Sequence, residues 1–109
     1  MIGEQEFRAL SEAALVSLQR ALERASDRHD FEVDSKAGAL SVEFEDPPAK
    51  FVVSPNAPVR QIWVSARVQS FKLDWSEPAS AFVWSDGRTL HQLMAELVSE
   101  QIGETVSLG

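Results

Sequence analysis

The sequence predicts an α+β two-layer sandwich, in which two helices pack on one face of a five- to six-stranded antiparallel sheet. Apolar residues near both ends of the chain recur every three or four positions, as they do in amphipathic helices. Between these segments, apolar and polar residues alternate in short runs that are typical of strands. Consecutive strands with a helix at each end are characteristic of the α+β class.

Length and charge limit the classes of function. The 109 residues suffice for one core and are too few for two, so we treat residues 1–109 as a single domain. The net charge is −7, from 17 acidic and 10 basic side chains. This balance disfavours nucleic acids and anionic membranes as partners and favours basic proteins or metal cations.

The chain has no cysteine, which excludes disulfides, thiol nucleophiles and metal sites built on thiolates. A bound metal would therefore use carboxylate, histidine or backbone oxygen ligands. No apolar run approaches the roughly 20 residues that a membrane span needs, and the first residues lack the basic start of a signal peptide. We therefore expect a cytoplasmic protein that does not associate with membranes.

The first helix is predicted from about Glu4 to Ser26, and no glycine or proline interrupts it after Gly3. Its core-facing stripe consists of Phe7, Leu10, Ala14, Leu18, Leu22 and Ala25. Its outer face carries, at helical spacing, Arg20, Glu23, Arg24 and Asp27. The simplest interpretation of that outer face is a solvated surface with ion pairs.

A β-hairpin with one apolar and one acidic face is predicted next. Its apolar residues, which alternate with acidic or polar ones, are Phe31, Val33, Leu40, Val42 and Phe44. If residues 36–39 form the loop, Asp34 lies opposite Ser41 and Glu32 lies opposite Glu43. Directly opposed like charges destabilise a sheet. Either a cation partner or screening by solvent and salt would explain this acidic pair.

The rest of the sheet is predicted from shorter runs. The strands after the hairpin are Phe51–Val53, a strand that follows Pro58, Gln69–Trp75 and Ala81–Trp84. Asp46-Pro47-Pro48 is expected to break the ladder, and Ser54–Pro58 is expected to form a turn, because prolines cannot donate to a central ladder. Trp75 and Trp84 are interpreted as core or sheet-packing residues.

The second helix is predicted to begin at a capping box, with Thr89 as the N-cap residue and Gln92 at the third helical position. Its core stripe consists of Leu90, Leu93, Met94, Leu97, Val98 and Ile102. Gly103 is expected to end it. The tail that follows contains Val106 and Leu108, which we expect to pack in a groove between the helices.

Trp63 lies between Ile62 and Val64 on the fourth strand, so its side chain points to the opposite face of the sheet. Because both predicted helices cover one face, the other face of the antiparallel sheet is left open. We therefore expect Trp63 to be exposed rather than buried in a second core. Tryptophan is enriched among the residues that carry most of an interface's binding energy. This makes Trp63 a candidate anchor for a partner.

The order of helix, strand run and helix, together with several short motifs, resembles the frataxins, most closely the bacterial frataxins of the CyaY type. The resemblance extends over nearly the whole chain. The segments that carry it are Glu6-Phe7, Gly38 to Val42, Arg60 to Val64, Ser85-Asp86-Gly87 and Gly103 to Ser107.

The resemblance implies an iron-binding regulator of iron–sulfur cluster assembly, which has also been proposed as an iron donor. Such a protein docks on the cysteine desulfurase and the scaffold protein of that pathway, and surface carboxylates bind its iron weakly. Frataxins use the end of the first helix and the first strand for iron, and the open sheet face for docking. We expect no catalytic residues, and a monomer in the absence of iron.

Two groups of candidate site residues follow from the resemblance. The acidic ridge, which is expected to bind metal, consists of Glu23, Asp27, Asp30, Glu32 and Asp34. The tryptophan face, which is expected to bind the partner, consists of Gln61, Trp63 and Lys72. Exposed carboxylates leave a hard cation most of its waters, so we expect weak binding of Fe(II) or Fe(III), with Ca, Mn and Co competing.

The chain departs from the family in two places. Arg20, Arg24 and Arg28 stand where bacterial relatives carry acids or a neutral residue, so the local charge of the ridge is about −2, from five acids and three arginines. The turn before the fourth strand reads Ser54-Pro55-Asn56-Ala57-Pro58 in place of the usual Asn-x-Gln-x-Pro. The best candidates for metal ligands are those furthest from the helix arginines: Asp30, Glu32 and Asp34.

Two alternatives remain open. One is a ferroxidase or iron-storage protein, which normally needs a buried carboxylate–histidine cluster, often with Glu-x-x-His spacing on a helix. That spacing is absent. His29 lies in a loop beside Asp27 and Asp30, where it either joins a metal site or, more simply, is solvated, and His91 is expected to be exposed or half-buried near the start of the second helix. The other alternative is a metal-independent interaction module that uses Trp63 and the acidic surface.

Overall fold

A computed structural model, which describes residues 2–45 and 47–108, has two helices and a sheet of six strands. Helix α1 spans Glu4–Ser26 and helix α2 spans Leu90–Ile102. The strands between them are β1 (Glu32–Lys36), β2 (Ala39–Glu45), β3 (Pro48–Asn56), β4 (Gln61–Ala66), β5 (Gln69–Ser76) and β6 (Ala81–Val83). Each strand pairs antiparallel with the next, in the order β1 to β6. The predicted two-layer α+β sandwich is confirmed.

The hairpin formed by β1 and β2 has the predicted register. Glu32 lies opposite Glu43, and Asp34 lies opposite Ser41. The loop is tighter than expected, because Lys36 and Ala39 still pair and only Ala37 and Gly38 connect the strands. Both connecting residues have positive φ angles, 55° and 83°. Such two-residue turns match the right-handed twist of the flanking strands and so fix their register.

Strand β3 is longer than predicted, which corrects the expectation of a short strand followed by a turn at residues 54–58. It runs from Pro48 to Asn56, and only residues 57–59 form a 3-10 turn before β4. Pro48 is tolerated as the first residue of the strand. Pro55 lies opposite Ile62 on β4. It comes after the last β2–β3 pair, Leu40 with Val53, so at Pro55 strand β3 has a neighbouring strand on one side only. Asp46 lies outside the described residues.

The core lies between the helices and one face of the sheet. Alternate residues along the central strands point into it, and the most buried of them, with at most 1% exposure, are Val42, Phe51, Val53, Ile62, Val64 and Leu73. Phe7, Leu18 and Leu22 of α1 meet them with equally little exposure. The tail also packs on the core, as expected, because Val106 and Leu108 are each 4% exposed. The expected position between the two helices stays a prediction.

Helix α2 begins and ends as its sequence predicts. The Thr89 hydroxyl accepts a hydrogen bond from the backbone N–H of Gln92, and the Gln92 side chain accepts one from the backbone N–H of Thr89. At the other end Gly103 has a φ of 71°, a left-handed conformation that suits glycine. Within residues 2–45 and 47–108, neither helix combines the length and the apolar character needed to cross a membrane.

Candidate functional site

Strand β4 places Trp63 on the sheet face away from the helices. Its neighbours Ile62 and Val64 are 0% and 1% exposed, whereas Trp63 is 37% exposed. The predicted exposure of Trp63 is therefore confirmed. Serines flank part of the indole on this face: Ser54 on β3 lies directly opposite it, and Ser65 and Ser70 pair with each other beside it. A partner can reach the ring over these short side chains.

Hydrogen bonds hold the Trp63 ring in one orientation. The Trp63 Nε1–H donates to Gln61 Oε1 at 3.0 Å, and the Gln61 Nε2 donates to Asp74 Oδ1 at 3.1 Å. The ammonium of Lys72, which lies opposite Trp63 on β5, is 5.0 Å from the centre of the ring, a cation–π distance. Sequence reasoning did not assign Asp74 to this site, because its role depends on its pairing with Gln61 across β4 and β5.

The acidic ridge begins at the C-terminal end of α1. Glu23 lies in the last turn of the helix, Asp27 is its C-cap residue, and both side chains are exposed. The C-terminus of a helix carries partial negative charge, so an acid there is unfavourable by about 0.3–1 kcal/mol. Arg24 in the same turn offsets part of this cost. The arrangement favours a cation at this end of α1.

The rest of the acidic ridge follows on the loop and on β1, where Asp30, Glu32 and Asp34 are all exposed. Glu32 faces Glu43 across the hairpin, and the Glu43 carboxylate lies 3.8 Å from the ammonium of Lys50 on β3. Lys50 therefore offsets part of the repulsion between the opposed acids. Over residues 2–45 and 47–108, no three His, Cys, Asp or Glu side chains form a group that could hold a metal ion. The ridge offers single carboxylates or pairs.

The two histidines occupy different surroundings. The expectation that His29 is most simply solvated is wrong: its side chain is 19% exposed, and its Nδ1 lies 3.0 Å from Glu104 Oε1. The reason is that buried Val106 and Leu108 draw the tail against the core and bring Glu104 to the end of α1. His91 is half-buried as predicted, with its Nε2 at 3.3 Å from Ser17 Oγ. Burial lowers the pKa of His91.

Trp75 and Trp84 pack against the core, as the sequence predicts. Both are half-buried. Trp84 meets Phe71 edge to face at 4.9 Å between ring centres, and Trp75 meets Phe82 at 5.3 Å. Of the three tryptophans, Trp63 is thus the one whose ring stands on the open sheet face.

Comparisons with known proteins fit this geometry. The family model for the frataxin-like domain matches residues 1–104. An iron–sulfur cluster assembly protein CyaY from Dechloromonas aromatica is 35% identical over 110 residues, which cover 98% of the chain and 99% of that relative. The chain belongs to the frataxin-like family, in its bacterial CyaY type. The resemblance seen in its sequence motifs is therefore confirmed.

Other relatives and a solved structure agree with this membership. The iron–sulfur cluster assembly protein CyaY from Azotobacter vinelandii is 36% identical over 90 residues, which cover 80% of the chain and 81% of that relative. The solved structure of a frataxin from Psychromonas ingrahamii superposes with a TM-score of 0.85 over 99% of both chains, at 18% identity. At that identity, the superposition shows that the two chains share a fold.

Proposed function

We propose that the chain acts in the cytoplasm in iron–sulfur cluster assembly, as an iron-binding regulator or iron donor that docks on the cysteine desulfurase and its scaffold protein. Membership of the CyaY type, whose relatives bear the name of that process, supports the pathway. The observation that carries the docking half is the exposed and oriented indole of Trp63.

The tryptophan face suits docking because its central side chain is ordered before the partner arrives. Binding costs free energy for each side chain that must be immobilised, about 0.5–1.5 kcal/mol for a flexible one. The bond from Trp63 to Gln61, and that from Gln61 to Asp74, remove much of this cost. A rigid aromatic side chain in the centre of a contact is the usual anchor of a protein interface.

The charge of the chain indicates the chemistry of the partner surface. The net charge is −7, and the β1–β2 edge of the open face carries several of the acids: Glu32, Asp34, Glu43 and Glu45. A basic patch on the desulfurase would be complementary to this edge and would be steered toward it. The tryptophan face then supplies the contact, while the acids raise the rate of encounter.

The metal half of the proposal is weak binding of iron as a cargo. Carboxylates are suitable oxygen ligands for Fe(II) and Fe(III), and the acids at the end of α1 gain from a nearby cation. Because the described residues bring no three such ligands together, water completes the coordination shell, and Ca, Mn and Co compete. Weak binding suits a protein that transfers its iron to another protein.

The affinity for the cysteine desulfurase, measured with and without a chelator, tests the docking half. We expect Trp63→Ala to cost about 2 kcal/mol, which is roughly thirtyfold in Kd. Val68→Ala is the matched control, because Val68 is fully exposed at the β4–β5 turn, outside the hydrogen-bonded group around Trp63. A Trp63→Ala variant that binds as tightly as Val68→Ala would refute docking through this face.

The chelator arm separates iron delivery from a metal-independent interaction module. The module is favoured by one contrast: Trp63 is held in place, whereas the described acids form no three-ligand group. If the chelator leaves the affinity unchanged while Trp63→Ala lowers it, the module is the better description. Oxygen consumption by the isolated protein with Fe(II), compared with buffer, tests the ferroxidase alternative, for which we expect no difference.

A further inference from the structure

A small cavity with a volume of about 170 Å³ lies beside Trp63 on the open face of the sheet. The side chains around it come from β3, β4 and β5, and they are Val52, Ser54, Trp63, Ser65, Ser70 and Lys72. Lys72 lies opposite Trp63, and Ser70 lies opposite Ser65. Because three of these side chains are serines, they are too short to fill the space next to the indole. We call this cavity the Trp63 notch.

Lys72 brings a positive charge to the Trp63 notch. Its ammonium is 5.0 Å from the centre of the indole ring. Across residues 2–45 and 47–108, no carboxylate lies within ion-pair distance of this ammonium. Lys50, on β3 of the same sheet face, differs in this respect, because its ammonium is 3.8 Å from the Glu43 carboxylate. An anionic group of a partner can therefore bind Lys72 without first displacing a carboxylate of the described chain.

The N–H of the Trp63 indole is already used inside the protein. It is the only polar hydrogen of that side chain, and it donates to Gln61 Oε1 at 3.0 Å. The Gln61 amide is in turn held by Asp74 Oδ1 at 3.1 Å. The indole therefore presents an apolar surface, and the polar side-chain groups at the notch are the Lys72 ammonium and the serine hydroxyls. An ammonium only donates hydrogen bonds and a hydroxyl can donate one, so the notch favours an acceptor.

A carboxylate side chain fits this combination of an apolar wall and polar donors. Its methylene stem can pack on the indole and on Val52, while its oxygens accept charge-assisted hydrogen bonds from the Lys72 ammonium. A lysine or arginine of the partner would instead place a like charge beside Lys72, which is unfavourable. A purely apolar side chain would cover the ammonium without giving it an acceptor, and burial of an unpaired charge costs free energy.

We propose that the Trp63 notch receives an aspartate or glutamate side chain of the docking partner, bound by the Lys72 ammonium and by the hydroxyls of Ser65 and Ser70. The inference rests on the proposed docking of this face on the cysteine desulfurase, and it adds the chemistry of the central contact. The partner then presents a basic patch to the acidic β1–β2 edge and an acid to the notch. Strands β1 and β4 are three strand spacings apart, roughly 14 Å, so the two opposite charges fix the orientation of docking.

The direction in which Lys72→Gln changes the affinity for the cysteine desulfurase tests the proposal. If the surface opposite the notch were basic, loss of a positive charge would strengthen binding. We expect the opposite, a rise of about tenfold in Kd, because a charge-assisted hydrogen bond is lost. Lys36→Gln is the matched control: it removes the same charge at the exposed end of β1 and should not weaken binding. Lys72→Arg keeps the charge and the donors and should retain most of the affinity.

Two further experiments separate contact with the partner from a structural role of Lys72, with folding checked by thermal midpoint. Ser70→Val fills the notch without a change of charge, and it should weaken binding more than Ser70→Ala, which leaves the space open. Lys72→Glu should weaken binding more than Lys72→Gln. Replacement of the acids on the docking surface of the desulfurase by lysine, one at a time, should then restore part of the affinity at one position. A purely structural role of Lys72 predicts no such restoration, and its absence at every position would contradict the proposal.

The outcomes distinguish this inference from docking itself. If Lys72→Gln binds as tightly as the wild type or more tightly, while Trp63→Ala loses affinity, the carboxylate contact is overturned and docking through the tryptophan face stands. If Trp63→Ala also binds like the wild type, docking through this face fails and the inference fails with it.

Discussion

The tryptophan face and the acidic ridge differ in how firmly the fold holds their side chains. Trp63 lies on β4, which has a strand on each side, and its indole is tied to Gln61 and through it to Asp74. The ridge lies at the end of α1, on the loop that follows and on β1, which in the described part of the chain pairs with β2 alone. An ordered aromatic side chain favours a specific contact, whereas loosely held carboxylates favour weak binding that adapts to the ion.

The difference follows from conformational entropy. A glutamate or aspartate that must be ordered around an ion loses rotamer freedom on binding, and this loss is subtracted from the affinity. The indole of Trp63 has already lost that freedom in the free protein. We therefore expect substitutions on the tryptophan face to act on the lifetime of the complex, and substitutions on the ridge to act on metal binding and on the rate of encounter.

The double substitution Glu32→Ala with Asp34→Ala is expected to separate the role of the acidic ridge from that of the tryptophan face most clearly. It removes the two acids of β1 that share one sheet face, so the metal-induced NMR shifts of residues 32–34 should disappear. The association rate with the desulfurase should fall about tenfold at low salt, because steering depends on net charge. Stopped-flow binding at two salt concentrations measures the effect. Unchanged metal shifts together with an unchanged association rate would contradict the role of these acids.

The Gln61→Ala substitution tests whether the orientation of Trp63 contributes to docking. The indole N–H loses a neutral hydrogen bond, which is worth about 1 kcal/mol, and the ring gains rotamers. We expect the Kd for the desulfurase to rise about fivefold. Gln69→Ala, at an exposed glutamine on β5 of the same sheet, is the control. Equal effects of the two substitutions would argue against a special role for the bond from Trp63.

The double substitution Arg20→Gln with Arg24→Gln tests the ridge by removing positive charge near it instead of negative charge. Both side chains are exposed on α1, and their charges repel a bound cation through solvent. We expect metal affinity to rise about twofold at low salt and not at all at high salt. Isothermal titration with Co(II) in two buffers would measure it. A rise that persists at high salt would point to a direct structural change instead.

The smallest effect is expected from His91, which lies away from both regions. Its folded-state pKa is lowered from 6.5 by burial, so the unfolded chain binds a proton more readily. The resulting stability is fully present above about pH 6.5 and is lost as the pH falls toward the folded-state pKa. Urea midpoints at pH 7.5 and 5.5 should differ less for His91→Gln than for the wild type. An identical acid dependence would contradict this assignment.

A second titratable group does not interfere with that measurement. The backbone N–H of Arg88 lowers the pKa of Asp86 below its usual 3.8, with a further contribution from the guanidinium. A carboxyl with a lowered pKa loses its contribution to stability only as the pH falls below the unfolded-state value. The Asp86 contribution therefore stays constant between pH 7.5 and 5.5.

The sequence predicts this fold well where the pattern is local. The alternation around Gly38 gave the hairpin register, and the capping box at Thr89 gave the start of α2. The exposure of Trp63 also followed, because a strand alternates and two helices cover one face of a sheet. The length of β3 was underestimated, because the position of Pro55 past the end of β2 depends on the register of three strands.

The candidate site could be predicted only in part. The acids and Gln61, Trp63 and Lys72 were assigned from the resemblance to the family. Asp74 and Glu104 were missed because their contacts are tertiary: the Gln61–Asp74 bond spans 13 residues, and the His29–Glu104 contact spans 75. No spacing rule connects such positions, since the pairing appears only when the strands are in register and the tail is packed.

The central claim is that the acidic ridge binds metal and the tryptophan face binds the desulfurase. The measurement that tests it most directly is an NMR titration of the labelled protein, first with Fe(II) under anaerobic conditions and then with the desulfurase. We predict that the metal affects the amides of residues 27–34 and spares those of β4 and β5. The desulfurase should then shift or broaden the indole N–H of Trp63 and the amides around Gln61 and Lys72, with and without metal. An indole resonance that stays unchanged on addition of the desulfurase would contradict the account.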